Sequence, residues 1–542
     1  MPPRWKSLLT RRPAWSAETA ALVASLTFTL LGNGAFWRAL TDFHPLRSAA
    51  DGLLFFSAAL LMTGLQWFLL LLVAARRTLK PLLMLLAVTT AAAVYFVATY
   101  KVYLSPAMLR NVLETDIREA GELLQPAMLL YVLYAAIAIA LITRLRPPGR
   151  TWRRALLARG VGLAAALLMT GSGFWLAAAD LAPLFRQHKE LRFLVTPSNA
   201  IFSALSALKG EAATSGATAT RQGIALDARR PELARRPRAV VLAVGETVRA
   251  ANWGLSGYAR QTTPELAARR VINFAEVSSC GTDTATSVPC MFSLAGRRHY
   301  DEAAIRRQES LLHVLHRTGV DIFWRDNQSG CKGVCVDLPH ENLSRAKVPG
   351  LCEGGRCFDA ILLDNLPEII DAAPGDILIV LHLLGSHGPA YFQRYPAAFR
   401  QWTPTCDTTN LAACTREALV NTYDNSVLYT DHVLAAAIDQ LRGVTSHDTA
   451  LLYVSDHGES LGEKGLYLHG MPWAIAPAEQ TQVPLILWFA PGQSFNTTCL
   501  AQRAKQPASH DNLFHTLLGL FDVETAAYEP QMDLLAGCVS ED

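Results

Sequence analysis

The chain has 542 residues, which is room for two or three domains, and its formal net charge of +3 does not indicate a nucleic-acid partner. Hydrophobic residues make up 51% of the chain. They are concentrated in the first third, which argues against an entirely soluble protein.

Five apolar segments follow one another in that first third. Each approaches the roughly 20 residues that a helix needs to cross about 30 Å of hydrocarbon, and none has a charge at its centre. A set of buried helices in a soluble protein is the alternative interpretation, but five such segments in succession favour a membrane domain. We therefore predict a five-helix transmembrane domain in residues 1–180. The segments are Ala20–Trp37, Leu53–Ala75, Leu82–Tyr100, Ala127–Thr143 and Gly160–Ala179.

Lysine and arginine residues are concentrated in alternate connections between these segments. Four of them precede the first segment, and five follow the fourth segment within residues 144–154. Positive charges favour the cytoplasmic side, so five crossings place everything after Ala179 outside. The first segment lacks an Ala-x-Ala cleavage site and is predicted to be retained. We expect a bacterial inner-membrane protein with a cytoplasmic N-terminus and a periplasmic C-terminal part.

Two further stretches of the chain have a distinct polarity. The loop between the third and fourth segments is long and polar, and a helix there would align Asn111, Thr115 and Glu119 on one face. Residues 181–237 begin with an apolar and basic pattern that suits amphipathic helices on a bilayer surface. They continue into an Ala, Thr, Ser and Gly-rich linker.

Short apolar runs alternate with helical stretches from Arg238 onward. This alternation predicts an α/β domain with a largely parallel sheet in residues 238–542. Polar residues that follow the strands of such a sheet gather at one edge. The runs are Ala239–Val244, Val320–Trp324, Ile377–Leu383, Ala450–Val454 and Val483–Trp488.

All ten cysteines lie between Cys280 and Cys538. An even number confined to the predicted outer part favours disulfides in an oxidising compartment. A zinc site made of thiolates is the alternative, but it usually needs tight Cys-x-x-Cys pairs, and the sequence has none. The sequence does not determine which cysteines pair with each other.

Carboxylates and imidazoles follow several predicted strands. Glu246 follows the first strand, and Asp456 and His457 follow the fourth. His382 lies in the third strand and His387 just beyond it. These side chains suit a dication such as Zn²⁺. Taken singly, a strand-end aspartate is often a helix N-cap and a lone histidine a hydrogen-bonded loop residue, so the shared sheet edge is what favours a metal site.

A hydroxyl-rich segment lies between Cys280 and Cys290. Four hydroxyl side chains fall within the six residues 282–287. A disulfide would hold this loop rigid, and metal coordination would activate one hydroxyl as a nucleophile. A capped helix start is the alternative, and the two are compatible because a helix N-terminus also favours a bound phosphate. Local chemistry leaves open which hydroxyl attacks.

The same segment, Ser279 to Ser293, resembles the nucleophile loop of the lipid A phosphoethanolamine transferases, a family that includes the mobile colistin-resistance enzymes. The resemblance extends over nearly the whole chain and implies a periplasmic α/β/α domain of the alkaline phosphatase and sulfatase type. The other matching stretches are Gly245–Asn252, Gly330–Cys335, Gly385–Pro389, Ser455–Glu463 and His469–Pro472.

The resemblance also implies roles for individual residues. Thr284 would be the nucleophile, and the Zn²⁺ ligands would be Glu246, Thr284, Asp456 and His457. Contacts to the phosphoethanolamine group or to a second metal are implied for Lys332, His387 and His469. A membrane-side substrate site is implied for Asn111, Thr115 and Glu119. Gln328 departs from the asparagine expected in some relatives.

The reaction implied by the resemblance is a double displacement on two membrane lipids. Zinc-activated Thr284 attacks phosphatidylethanolamine and releases diacylglycerol, and a phosphate of lipid A then takes the phosphoethanolamine group. His387 or His469 would protonate the leaving alkoxide. The added ammonium lowers the negative surface charge, which weakens binding of polymyxins such as colistin. A monomer is expected.

Several other functions remain open as alternatives. A related transferase would act on lipopolysaccharide core sugars or another glycan, and a glycerophosphate transferase would use phosphatidylglycerol. A sulfatase would show Cys or Ser, then x-Pro-x-Arg, but Ser287-Val288-Pro289-Cys290-Met291 ends in methionine. A non-enzymatic membrane sensor should lack a ligand residue, whereas all four are present.

Overall fold

A computed structural model describes residues 15–73, 75–100, 102, 108–109, 121–187, 189–205, 221–231, 235–493 and 495–539. The chain divides into two compact units, Met1–Pro106 with Leu124–Ser206, and Ala107–Leu123 with Ala207–Asp542. The expected membrane-side substrate residues Asn111, Thr115 and Glu119 lie outside the described residues.

Apolar helices make up the first unit. Leucine and alanine, which are both good helix formers, dominate their sequences. Large apolar side chains remain exposed on several of these helices, as suits helices that face lipid. The helices are Ala17–Leu31, Gly34–Phe43, Ala49–Val73, Leu79–Tyr100, Met128–Arg144 and Trp152–Gln187, followed by the 3₁₀ turn Lys189–Leu194.

The number of helices that can cross a membrane is smaller than the five predicted. Among the described residues three helices are long and apolar enough, and a fourth crossing is added if Ala17–Leu31 and Gly34–Phe43, bent by 52°, form one span. The predicted crossing that is missing from this count of up to four corresponds to the helix Met128–Arg144, which has only 17 residues. At 1.5 Å per residue such a helix extends about 26 Å, short of the roughly 30 Å of hydrocarbon.

A seven-stranded, largely parallel sheet forms the centre of the second unit, so the predicted α/β fold is confirmed, with two strands more than the five predicted. Arg238–Gly245 pairs in parallel with Ile377–His382 on one side and with Asp448–Ser455 on the other. Consecutive residues of these strands are buried, so both faces of the sheet are covered. Across the sheet the strands are Ile272–Phe274, Leu485–Phe489, Asp448–Ser455, Arg238–Gly245, Ile377–His382, Asp321–Asp326 and His340–Asn342.

Helices and short strands complete this α/β/α unit. Two-stranded ribbons pair Ser460–Leu461 with Tyr467–Leu468, Val277–Ser278 with Ala508–Ser509, and Cys352–Glu353 with Arg356–Cys357. The α-helices are Pro264–Ala268, Thr284–Met291, Glu302–Arg307, Leu311–Arg317, Leu366–Ala372, Arg416–Gly443, Ala478–Thr481, Thr497–Arg503 and Asp511–Leu520.

Disulfides join all ten cysteines, so the prediction of disulfides is confirmed and no thiol is left for a thiolate zinc site. One of them closes the hydroxyl-rich segment, as the sequence suggested. The pairs are Cys280–Cys290, Cys331–Cys335, Cys352–Cys357, Cys406–Cys414 and Cys499–Cys538.

Candidate active site

Two neighbouring parallel strands end at the candidate site. Gly245 and Ser455 are partners in the register of these strands, so the residues that follow them emerge side by side at one edge of the sheet. Glu246, Asp456 and His457 form a buried cluster whose potential ligand atoms lie within 4.8 Å of one another. The sheet edge identified from the sequence therefore brings these three side chains together.

Thr284 joins this cluster as the first residue of the helix Thr284–Met291, which we call the nucleophile helix. Asp283 caps the helix by accepting the N–H of Thr286 at 2.9 Å. The Thr284 hydroxyl donates to Glu246 Oε2 at 2.9 Å and lies 3.4 Å from His457 Nε2. The segment is thus both a capped helix start and the carrier of a hydroxyl that faces the cluster.

The other buried hydroxyls of this segment have different partners. Thr282 donates to the carbonyl of Met471, and Ser287 donates to the carbonyl of Asp456. Both bonds tie the segment to neighbouring loops and direct these hydroxyls away from the cluster. Thr284 is therefore the hydroxyl that the fold aims at the carboxylates and the imidazole.

His457 and Asp456 have the orientation expected of metal ligands. His457 donates its Nδ1–H to the carbonyl of Gly458 at 2.9 Å, which leaves Nε2 as an acceptor. Nε2 lies 3.4 Å from Glu246 Oε1 and 3.4 Å from Asp456 Oδ2. Buried Asp456 Oδ2 accepts no hydrogen bond from the described residues. Converging acceptors of this kind repel one another unless a cation lies between them, so the residues fit a dication.

The turn after Glu246 is held in a strained conformation. Thr247 has φ +55°, a region that non-glycine residues rarely adopt. Its N–H donates to Asp456 Oδ1 at 3.2 Å, and its carbonyl accepts the Tyr423 hydroxyl at 2.6 Å. These bonds hold the turn in its strained conformation. The bond to Asp456 also links the ends of the two strands that carry the cluster.

Two further histidines lie beside the cluster. The ring centroid of His469 is 4.4 Å from that of His457 and 5.5 Å from that of His387. Burial alone would lower the pKa of His469, but Glu459, whose Oε1 is 3.2 Å from Nδ1, raises it. Burial and the positive charge on His469 lower the pKa of His387 well below its usual value. The surroundings of the two imidazoles therefore shift their pKa values in opposite directions.

Lys332 and Gln328 lie on the loop that follows the strand Asp321–Asp326. Lys332 is held between the disulfide partners Cys331 and Cys335, and its charge contributes to the lowered pKa of His387. Gln328 Nε2 donates to Glu246 Oε2 at 3.1 Å. The residue that departs from the family pattern therefore contacts the Glu246 carboxylate directly.

His510 links the end of the strand Asp448–Ser455 to the start of the segment that carries Thr284, and it was not predicted. Its Nε2–H donates to the carbonyl of Ser455 at 2.9 Å, and its Nδ1 accepts the N–H of Cys280 at 3.1 Å. The hydroxyl of Ser287 lies 3.3 Å from the same Nδ1. His510 directly follows the strand Ala508–Ser509. This strand has only two residues, too few for an apolar pattern, so the sequence did not indicate His510.

Family profiles match both parts of the chain. The profile described as phosphoethanolamine transferase EptA/EptB matches residues 62–212, and the sulfatase profile matches residues 238–523. The second match agrees with the α/β/α fold of the second unit.

Individual relatives match over most of the chain. Phosphoethanolamine transferase EptA of Escherichia coli K12 is 39% identical over 542 residues, which is 98% of each chain. Phosphatidylethanolamine transferase Mcr-1 of Escherichia coli is 39% identical over 79% of this chain and 81% of its own length. The structure of the integral membrane lipooligosaccharide phosphoethanolamine transferase A of Neisseria meningitidis superposes with a TM-score of 0.92 at 38% identity, covering 98% of this chain and 100% of that chain.

Proposed function

Because the chain belongs to the phosphoethanolamine transferase family, we propose that it transfers phosphoethanolamine from phosphatidylethanolamine to a phosphate of lipid A. The observation that carries this proposal is the Thr284 hydroxyl, hydrogen-bonded at 2.9 Å to a buried carboxylate. It stands at a cluster that also fits a dication.

The proposed cofactor is Zn²⁺, held by Glu246, Thr284, Asp456 and His457. When bound, Zn²⁺ supplies Lewis acidity that lowers the pKa of a hydroxyl group and offsets charge on phosphoryl oxygens. The chemistry of the donor set supports it, because two carboxylates, one imidazole and one hydroxyl oxygen suit this ion.

In the first half-reaction Thr284 Oγ1 attacks the phosphorus of phosphatidylethanolamine. The hydroxyl proton has an acceptor in Glu246 Oε2. The bond from phosphorus to the diacylglycerol oxygen breaks, and the leaving alkoxide takes a proton from His469, whose raised pKa favours the protonated form. Lys332 offsets the negative charge on the phosphoryl oxygens. Thr284 then carries the phosphoethanolamine group.

In the second half-reaction an oxygen of the lipid A phosphate attacks the same phosphorus. The bond to Thr284 Oγ1 breaks, and Oγ1 regains a proton from Glu246. The proton of the attacking phosphate passes to His469, which restores its protonated form for the next cycle. The product carries an added ammonium, so the membrane surface is less negative and binds cationic polymyxins such as colistin less tightly.

The first unit and the disulfides support a location of this reaction at the periplasmic side of the inner membrane. Both substrates carry acyl chains that stay in a bilayer, and the first unit has helices that can cross one. Five disulfides in the second unit suit an oxidising compartment. We place the chain in the inner membrane with its N-terminus in the cytoplasm and its catalytic unit in the periplasm.

Mass spectrometry of lipid A from cells with and without the chain tests the proposed function. We expect phosphoethanolamine on lipid A only in cells that express the wild-type chain, together with a raised colistin tolerance. Cells that express Thr284→Ala are the control. Unmodified lipid A in cells whose core sugars carry the group would assign the acceptor to the sugars instead.

His510 is proposed to position Thr284 relative to Asp456. We expect His510→Ala to lower kcat about tenfold with little change in KM, because two buried backbone groups lose their partner and the nucleophile shifts. Steady-state kinetics check this, with thermal unfolding to confirm the fold. His510→Gln, which can donate and accept, should recover part of kcat. A wild-type kcat in His510→Ala would contradict the positioning role.

A further inference from the structure

A cavity of about 170 Å³ lies beside the nucleophile helix, on the side of its last turn. Pro289 and Phe292 form part of its wall. Charged side chains form much of the remainder, and cations outnumber carboxylates among them. The charged lining residues are Arg221, Arg306, Lys332 and Glu309.

Two of these charges are balanced within the protein. Arg306 pairs with Glu302 at 3.1 Å and also donates to the carbonyl of Ala285 at 3.1 Å, next to the proposed nucleophile in the chain. Glu309 pairs with Arg317 at 2.7 Å. These pairs shape the cavity without adding net charge to it.

Arg221 and Lys332 are not balanced in this way. Neither makes a hydrogen bond or an ion pair through its side chain with a described residue, and Glu309 and Asp337 act on Arg221 only over a longer distance. A Cβ added to Gly333 would lie 3.3 Å from Arg221 Nη2, so the guanidinium packs against the loop that carries Lys332. Two cations therefore lie close to the same cavity with no direct anionic partner among the described residues.

Burial makes this arrangement costly. Arg221 is half-buried, and burial lowers its pKa despite the two distant carboxylates. A guanidinium that is removed from water and has no hydrogen-bonded anion loses solvation free energy that protein contacts do not replace. An oxyanion that accepts several N–H bonds would restore the balance, and guanidinium geometry suits a phosphate group in particular.

We propose that this cavity is a phosphate-binding subsite, that it takes a phosphate monoester, and that the phosphate comes from the acceptor lipid. The assignment of the phosphate to the acceptor lipid rests on the proposed function, because of the two lipid substrates only the phosphorylated acceptor carries a phosphate monoester. The subsite lies on the side of the last turn of the nucleophile helix and anchors the acceptor, while Thr284 at the first position of that helix and its cluster carry out the transfer.

The first arm of the test is kinetic and uses the full-length chain in detergent. We expect Arg221→Gln to raise KM for the phosphorylated acceptor about tenfold, as for the loss of one charge-assisted hydrogen bond. Diacylglycerol release in the absence of acceptor should stay at the wild-type rate. Arg307→Gln is the matched control, because Arg307 is exposed on the helix Glu302–Arg307 and does not line the cavity.

The second arm is a calorimetric titration of the same three proteins with inorganic phosphate. We expect weaker phosphate binding in Arg221→Gln than in the wild type and in Arg307→Gln. If phosphate binding weakens but acceptor KM does not change, the site takes free phosphate and the acceptor assignment is overturned. If Arg221→Gln changes neither phosphate binding nor the KM for the acceptor, the proposed subsite is refuted. It is also refuted if Arg307→Gln behaves like Arg221→Gln. A wild-type chain that transfers nothing to lipid A would refute only the proposed function, since the titration still reports on the cavity.

Discussion

Replacing Thr284 with alanine is expected to reduce phosphoethanolamine transfer by about a thousandfold or more. The substitution removes the hydroxyl that forms the bond to phosphorus. Neither of the other two buried hydroxyls of the segment takes its place, because Thr282 and Ser287 donate to the carbonyls of Met471 and Asp456. Losses of this size are typical when a covalent nucleophile is removed. Diacylglycerol release from labelled phosphatidylethanolamine, followed by thin-layer chromatography, measures the effect.

Two further variants show whether the effect belongs to this hydroxyl. Thr284→Ser keeps the hydroxyl and should retain measurable activity. Thr286→Ala removes a hydroxyl two residues away on the same helix and should stay within a few-fold of wild type. Full activity in Thr284→Ala would refute the assignment, and an equal loss in Thr286→Ala would attribute the effect to the helix rather than to the nucleophile.

Removal of the metal is expected to be the second large effect. A chelator should lower activity by about a hundredfold or more, and added Zn²⁺ should restore it, because the lost Lewis acid no longer stabilises charge in the transition state. The buried Asp456 Oδ2, which accepts no hydrogen bond from the described residues, is expected to be a ligand. Elemental analysis of the purified chain before and after chelation accompanies the assay.

A matched pair of substitutions, one just after a strand and one at its start, tests the ligand assignment. Asp456→Asn replaces a carboxylate of the cluster and should abolish stoichiometric zinc. Asp448→Asn changes the residue at the other end of the strand Asp448–Ser455 and should leave zinc content unchanged. Undiminished activity in a chain shown to be metal-free would contradict the proposed chemistry.

The sequence predicted the strands and the carboxylate cluster because both depend on local rules. Strands covered on both faces read as unbroken apolar runs, and parallel register puts the residues after Gly245 and Ser455 side by side. The sequence alone therefore places Glu246, Asp456 and His457 at one site. The choice of Thr284 among four hydroxyls needed the family resemblance, because residue type does not determine which one faces the cluster.

Other features depend on information that local patterns do not contain. The apolar run Ala127–Thr143 and the helix Met128–Arg144 both have 17 residues, so this crossing was predicted from its place in a series of apolar runs and not from its length. His510 contacts Cys280 across 230 positions of the chain, and such a contact follows from tertiary packing alone. The pairing of Arg221 with the loop at Gly333 is of the same kind.

Peptide mass spectrometry of the enzyme, quenched after mixing with phosphatidylethanolamine and no acceptor, tests the central claim most directly. The account predicts a phosphoethanolamine group on Thr284 in step with diacylglycerol release, and its disappearance when lipid A is added. Release of diacylglycerol with no modified peptide, or with the group on a different residue, would contradict it.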